Sequence, residues 1–516
     1  MGEISGGHSF ISHAAIGGSD FARFKTPFDD VSLQAISPDS SAILATTNEA
    51  DTADTLWSIP LTGGAASRLA GLSGRNAAWA PDRRHIIFIR ESSLYVANAD
   101  GGQGHELFSA DSGTPFYPRL SPDGKRIRFS ISDPARNSSS IWEINSDGSG
   151  LHVLFPGWHN PPTECCGTWS ADGRYYIFQV AQSRPANTTQ LWALAEPVGA
   201  LARKPVTRAV QLTDGSTSFA NAAPDPRGKT IWALGVHPAG EFVKYDARSK
   251  QVLPLLAGVS GTDLDFSRDG QWVAYVAVPE GTLWRSRVDG SQRIRLTDPA
   301  GQVALPRWSP DGTQIAYMSV STGQPWKVLL VSANGGTSRE LLQESGDQVD
   351  ANWSPDGKQM VFGTIWQARN PAISVLDLNS RQRSTIPGST GLFSPRWSPD
   401  GRYIAALSTD FRNLMLYDFH VQKWTLWLSE AAGAVSYPAW SEDSRYLYFE
   451  DLVTGEDSFR RVRVGGTQTE TVFALQGLDR YPGPFGLWSG RAPDGSEVFV
   501  RDHSTQEVYR LDVKLP

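Results

Sequence analysis

The chain has 516 residues, more than one compact core organises, so two domains are expected. Hydrophobic residues make up 40% and charged residues 20%, which excludes wholesale disorder. A net charge of −7 without any long basic run excludes a nucleic-acid partner. No stretch approaches the ~20 apolar residues of a membrane span, and no basic, apolar leader opens the chain.

In chain order, two strand-like pieces come first, over residues 10–16 and 21–25. From there a short motif recurs. Worn copies centre on Asp39 and Asp82, followed by Ser121-Pro122-Asp123-Gly124 and Trp169-Ser170-Ala171-Asp172-Gly173. A worn copy at Asp225 precedes Ser267-Arg268-Asp269-Gly270. The clearest three are Trp308-Ser309-Pro310-Asp311-Gly312, Trp353-Ser354-Pro355-Asp356-Gly357 and Trp397-Ser398-Pro399-Asp400-Gly401. Worn copies at Asp443 and Asp494 end the series. The motif Asp recurs eleven times, at intervals of 41 to 53 residues, which is the period of a four-stranded propeller blade.

Each unit reads as a β-meander. Pro presets φ in the turn, Asp bonds the local backbone, and Gly accepts positive φ. The next run, such as Ile315-Ala316-Tyr317-Met318, is a buried strand. A third strand leads to a second hairpin signal, Asp147-Gly148, Asp289-Gly290 or Asn334-Gly335. Eighteen Trp against four Met suit a residue with a fixed place in every unit. That place is expected between neighbouring blades rather than on a sugar-binding face.

The fold expected is all-β, a double β-propeller of about 5 + 6 blades. The first propeller takes residues 1–200, the second 201–475, and residues 476–516 return to the first. The N- and C-terminal strands would then share one blade, removing two exposed edges. The two longest motif intervals mark the crossings, with residues 195–222 as the first linker.

At the Trp-Ser-Pro-Asp-Gly repeats the chain resembles the TolB-like (WD40-like, PD40) propellers, from about residue 30 to the end. The run Asn160-Pro161-Pro162-Thr163-Glu164-Cys165-Cys166-Gly167 and the ending Ala492-Pro493-Asp494-Gly495 resemble the extracytoplasmic propeller of bacterial membrane-anchored winged-helix regulators. This resemblance implies a sensor or recognition role in a periplasmic or extracellular location. Propellers host many functions, so role has to be argued from a site.

No nucleophile elbow, metal-binding His pair, phosphate loop or dinucleotide fingerprint is present, and no cofactor or metal is expected. The turn aspartates lack the alternating acidic spacing of a calcium loop and read as turn caps. Two sets of residues are candidates for ligand binding. The first is the long connection holding Trp158, His159, Glu164, Cys165 and Cys166, expected at a ring mouth. It is either a ligand-contact loop, with a vicinal disulfide as a stiff plate, or a proline-stiffened lid. The second is Arg307 and Arg396, each just before a motif Trp, with Arg119 in the same place and Asp350 in the matching stretch of another blade. These form either a charged ring for an anionic peptide terminus or sugar acid, or cation–π stacks on inter-blade Trp. A peptide, protein or saccharide is the expected partner. The alternative function is a carbohydrate-active hydrolase or lyase, with paired carboxylates drawn from Glu164, Asp263, Asp265, Asp347 and Asp350.

Overall fold

The computed structural model describes residues 2–5, 8–14, 21–28, 31–47, 55–182, 188–196, 209–225, 230–298, 301–366, 368, 370–430, 433–452, 457–513 and 515. Among these the only helical segment is one 3-10 turn, Pro134–Arg136, and no helix is long and apolar enough to cross a membrane. The strand pairings are antiparallel, as the hairpin turn signals predict.

The recurring sheet is a four-stranded meander, typified by Gln302–Trp308, Gln314–Val320, Lys327–Ser332 and Arg339–Glu340. Its first turn is stapled by the motif side chains. Ser309 Oγ donates to Asp311 Oδ1 (2.6 Å), which also accepts the Thr313 N–H (3.0 Å). Ser309 Oγ in turn accepts the Gln314 N–H (2.9 Å). Gly312 sits at φ 69°, a conformation that favours glycine. The same Ser-to-Asp bond recurs at Asp123, Asp172, Asp269, Asp356, Asp400 and Asp443. At Asp311, Asp123, Asp172, Asp269, Asp356 and Asp443 the serine hydroxyl bond is the largest influence on the carboxyl and holds it below its ordinary range. These aspartates are turn staples.

The motif Trp lies between sheets. Trp308, 8% exposed, shares a cluster with Ala274, Val276 and Leu283 of the preceding sheet and Ile315 and Tyr317 of its own. Trp353 and Trp397 repeat the arrangement.

Two compact units result. The first comprises residues 1–182, 188–236 and 506–516, and the second residues 183–187 and 237–505. In the second, the first strands of successive sheets touch in cyclic order: Gly261–Phe266, Gln302–Trp308, Val349–Trp353, Leu392–Trp397, Ala434–Trp440 and Ser489–Arg491, the last returning to the first. The ring is closed by a composite sheet in which Gly240–Asp246 from the start of the unit pairs with Glu497–Asp502 from its end. In the first unit the corresponding contacts run in order from Gly2–Ser5 through Val31–Ile36, Arg75–Trp79, Thr114–Leu120 and Glu164–Trp169 to Ser218–Pro224.

The expected blade shared by the two termini does not form. Gly2–Ser5, His8–Ala14 and Phe21–Lys25 pair with one another, while Thr505–Asp512 joins the sheet of Ser218–Pro224 and Thr230–His237. The physical reason is that each terminal segment finds a strand partner of its own. Pairing of sequence-distant strands does close a ring, but at Gly240–Asp246 and Glu497–Asp502 in the second unit. Much of the expected linker, residues 197–208, lies outside the described residues.

Candidate functional site

Nine first strands are broken by a bulge at which one residue has a left-handed backbone. These residues are Asn76, Tyr117, Cys166 and Asn221 in the first unit, and Asp263, Leu305, Asp350, Ser394 and Tyr437 in the second. Pairing resumes two residues later, for instance at Asp265, Arg307, Asn352, Arg396 and Ala439. A bulge adds a residue, kinks the strand and re-aims the side chains beyond it. It therefore gives each strand the same inward position, the residue just before the motif aromatic.

In the second unit these positions are Asp265, Arg307, Asn352, Arg396 and Ala439; Gly490 aligns with them in the worn repeat, in a strand without a bulge, and all six line one cavity of about 210 Å³. The ring is chemically lopsided. Four consecutive strands present charged or amide side chains, and the remaining two present a methyl group and nothing.

Hydrogen bonds between strands alternate with the residue type. Where the position is Asp265 or Asn352, the side chain accepts the backbone N–H of the next motif Trp, Trp308 at 2.7 Å and Trp397 at 2.8 Å. Where it is Arg307 or Arg396, the backbone carbonyl accepts the next indole N–H, from Trp353 at 3.1 Å and Trp440 at 3.0 Å. Both guanidiniums donate to the carbonyl of their own preceding Pro. They also converge on Asp350, whose Oδ1 lies 2.9 Å from Arg396 and 3.8 Å from Arg307. Asp350 Oδ2 accepts the Ser394 hydroxyl at 2.7 Å. These two arginines form ion pairs. The cation–π stacks in the structure lie elsewhere, such as Arg128 on Trp169 and Arg285 on Trp272.

Burial pushes both Asp263 and Asp265 up to about 6, against the opposing bonds from Leu305 and Trp308 and the nearby Arg307. Burial also lowers Arg396. An acid with a raised folded-state pKa binds its proton more tightly when folded. Its contribution is therefore most favourable below about pH 4 and is lost as pH rises towards about 6. Asp265→Asn keeps the acceptor for Trp308, as Asn352 already does for Trp397. The variant is expected to gain about 1–3 kcal/mol over wild type at pH 7.5 and to match it near pH 4, in urea titrations across that range. A variant equally less stable at both pH values would show that the carboxylate charge is not a cost.

The first unit holds the other candidates. Glu164, Cys165 and Cys166 belong to the strand Glu164–Trp169 rather than to the connection before it, because Glu164 already pairs with Val180. Cys165 and Cys166 form a vicinal disulfide, and Cys166 occupies the left-handed bulge position. Its N–H donates to Ser130 Oγ at 3.0 Å. Trp158, His159 and Glu164 do come together. The His159 ring stacks near Trp158 (4.0 Å) and its Nδ1 lies 3.4 Å from Glu164 Oε2, which also accepts the Thr163 N–H. Glu164 is fully buried, its Oε1 lacks a partner, and burial raises its carboxyl. Trp158 also packs against Phe155 and Trp192, each 5.0 Å away. Arg119 stacks 3.9 Å over Tyr117.

Of the remaining carboxylates, Asp347 caps the Trp326 N–H (2.9 Å), and burial raises it. Asp265 is the one carboxylate lining the central cavity of the second unit among the described residues. Sequence reading missed Tyr437, Trp488, Ser489 and Arg491 in that wall. Arg491 takes the place of the motif Trp before Ala492-Pro493-Asp494-Gly495, so aligning the worn repeat was the available signal. No group of His, Cys, Asp and Glu suited to a metal ion occurs among the described residues.

Antiparallel four-stranded meanders, first strands in cyclic contact and Ser-Pro-Asp-Gly turns define a β-propeller protein. No family model matches the chain. A tricorn protease homolog of Streptomyces coelicolor is 25% identical over 374 residues, 68% of this chain and 32% of that one. An uncharacterized protein of Agrobacterium fabrum is 32% identical over 138 residues, 25% of this chain and 47% of that protein. The chain thus spans about a third and about half of these relatives' lengths. Among solved structures, TolB from Acinetobacter baumannii is 20% identical with a TM-score of 0.38, over 57% of this chain and 80% of that one.

Proposed function

We propose that the protein is a ligand-recognition module whose binding site is the central cavity of the second unit. One observation carries the reading: the six positions that align in the repeat all line a single cavity, and two of them, Ala439 and Gly490, leave space where the other four place polar groups. A pocket with a few convergent polar groups on a rigid scaffold is the arrangement of a binding site. A volume of about 210 Å³ admits a small molecule or the end of a longer chain, being below the ~300–1,000 Å³ of drug-sized sites. Acid–base hydrolysis of a glycoside uses two carboxylates, and this wall offers Asp265 alone, which favours recognition over catalysis. The Cys165–Cys166 disulfide supports placing the protein in an oxidising, extracytoplasmic compartment.

The test is to fill the vacated side. Ala439→Trp is expected to abolish ligand-induced thermal stabilisation across a panel of saccharides and short peptides, while the unliganded melting temperature moves by only a few degrees. Full retention of stabilisation in this variant would place binding elsewhere.

A further inference from the structure

The protein as a whole carries a net charge of −7, yet the wall of its central cavity in the second unit has the opposite balance. Three arginines, Arg307, Arg396 and Arg491, line it against one carboxylate, Asp265. Asp350 stands beside the first two and holds their guanidiniums in place, leaving one positive charge of that trio uncompensated.

The hydrogen-bonding capacity of the wall is equally one-sided. Arg307 and Arg396 each donate to one Pro carbonyl and face one shared carboxylate, so most of their five donors stay uncommitted. Asn352 uses its oxygen on the Trp397 N–H, which leaves its amide N–H₂ as a donor. Ser489 Oγ is buried in the same wall without a hydrogen-bond partner, whereas the Arg491 guanidinium stacks 3.4 Å over Tyr448 and donates to the Gly495 carbonyl at 2.7 Å. On the acceptor side Asp265 commits Oδ2 to the Trp308 N–H and retains Oδ1. Donors therefore outnumber acceptors several-fold.

We infer that the cavity recognises a small sugar acid, a carboxylate on a hydroxyl-bearing body. This rests on the reading of the cavity as the binding site and adds the ligand's chemistry. The carboxylate meets the Arg307 and Arg396 pair, where planar guanidiniums match its geometry. The body occupies the side left open by Ala439 and Gly490. Its hydroxyls accept from Asn352, and one donates to Asp265 Oδ1. A peptide terminus fits less well, because each further residue brings an N–H that needs an acceptor, and the wall's free side-chain acceptors are Asp265 Oδ1 and Ser489 Oγ. Hydroxyl groups accept as well as donate, so a sugar is satisfied by a donor-rich wall.

The experiment is calorimetric titration of the full chain with glucuronate, glucose, inorganic phosphate, trialanine and trialanine amide. Glucuronate is expected to bind, with glucose and phosphate each at least tenfold weaker and both peptides without measurable heat. Arg307→Gln is expected to weaken glucuronate at least tenfold. Should that variant fail to fold, the comparison of glucuronate with glucose on wild type decides the charge requirement alone. Equal binding of glucose and glucuronate overturns the acid requirement. If Ala439→Trp then abolishes both, the cavity remains the binding site. Phosphate as tight as glucuronate overturns the role of the hydroxylated body. Binding of trialanine but not its amide or glucuronate replaces the sugar acid with a peptide terminus, and no binding by any probe overturns the inference.

Discussion

Trp353→Ala is expected to lower the stability of the second unit by about 3–5 kcal/mol, the range for deleting a large buried aromatic. Trp353 is 8% exposed. It lies in one cluster with Ala316, Val328 and Leu330 of the preceding sheet and Met360 and Phe362 of its own. Its indole N–H is also the donor to the Arg307 carbonyl at 3.1 Å. Truncation thus opens a void between two sheets and removes a bond across the same joint. Trp353→Phe keeps much of the volume and loses only the bond, so its cost is expected near 1–2 kcal/mol. Urea denaturation of both variants measures the difference. A loss below about 1 kcal/mol for the alanine variant would mean that the side chain faces solvent, contrary to its burial.

The repeat was legible in the sequence because a turn needs particular residues at fixed offsets. Ser309, Asp311 and Gly312 do in the structure what their chemistry predicts. Burial of the motif Trp was legible for a similar reason, as regular recurrence is a property of packing. Pairing of the termini was not, since an edge strand such as Thr505–Asp512 takes whichever partner the chain path supplies, and pattern alone does not name it. The site was legible in part. Arg307, Asp350 and Arg396 do converge, but their relation depends on the bulge that sends Asp350 to a left-handed conformation. No residue type demands that conformation, for Leu305 and Tyr437 adopt it too. The vacancy at Ala439 and Gly490 was invisible, because small residues carry no chemical signal until the six repeat positions are aligned.

The second large effect is expected at a buried ion pair that neither the repeat nor the spacing announces. Arg480 bonds Glu450 through Nη2 and donates through the same nitrogen to the carbonyls of Leu487 and Trp488, both at 3.1 Å. Glu450 is completely buried, and Ser436 Oγ lies 3.4 Å from its other oxygen. These carbonyls immediately precede Ser489–Arg491, the strand that completes the cyclic contacts of the second unit. Arg480→Met strands a carboxylate without its counter-ion and leaves both carbonyls without this donor. Breaking one half of a buried pair costs about 3–5 kcal/mol, because the surviving charge is uncompensated. Arg480→Met combined with Glu450→Leu removes the charge as well, and is expected to restore at least half of the loss. Chemical denaturation of the wild type, both single variants and the double variant completes the cycle. A double variant as unstable as Arg480→Met would move the energy from the ion pair to the two carbonyl bonds, and a single-variant loss below about 1 kcal/mol would show that solvent reaches Glu450.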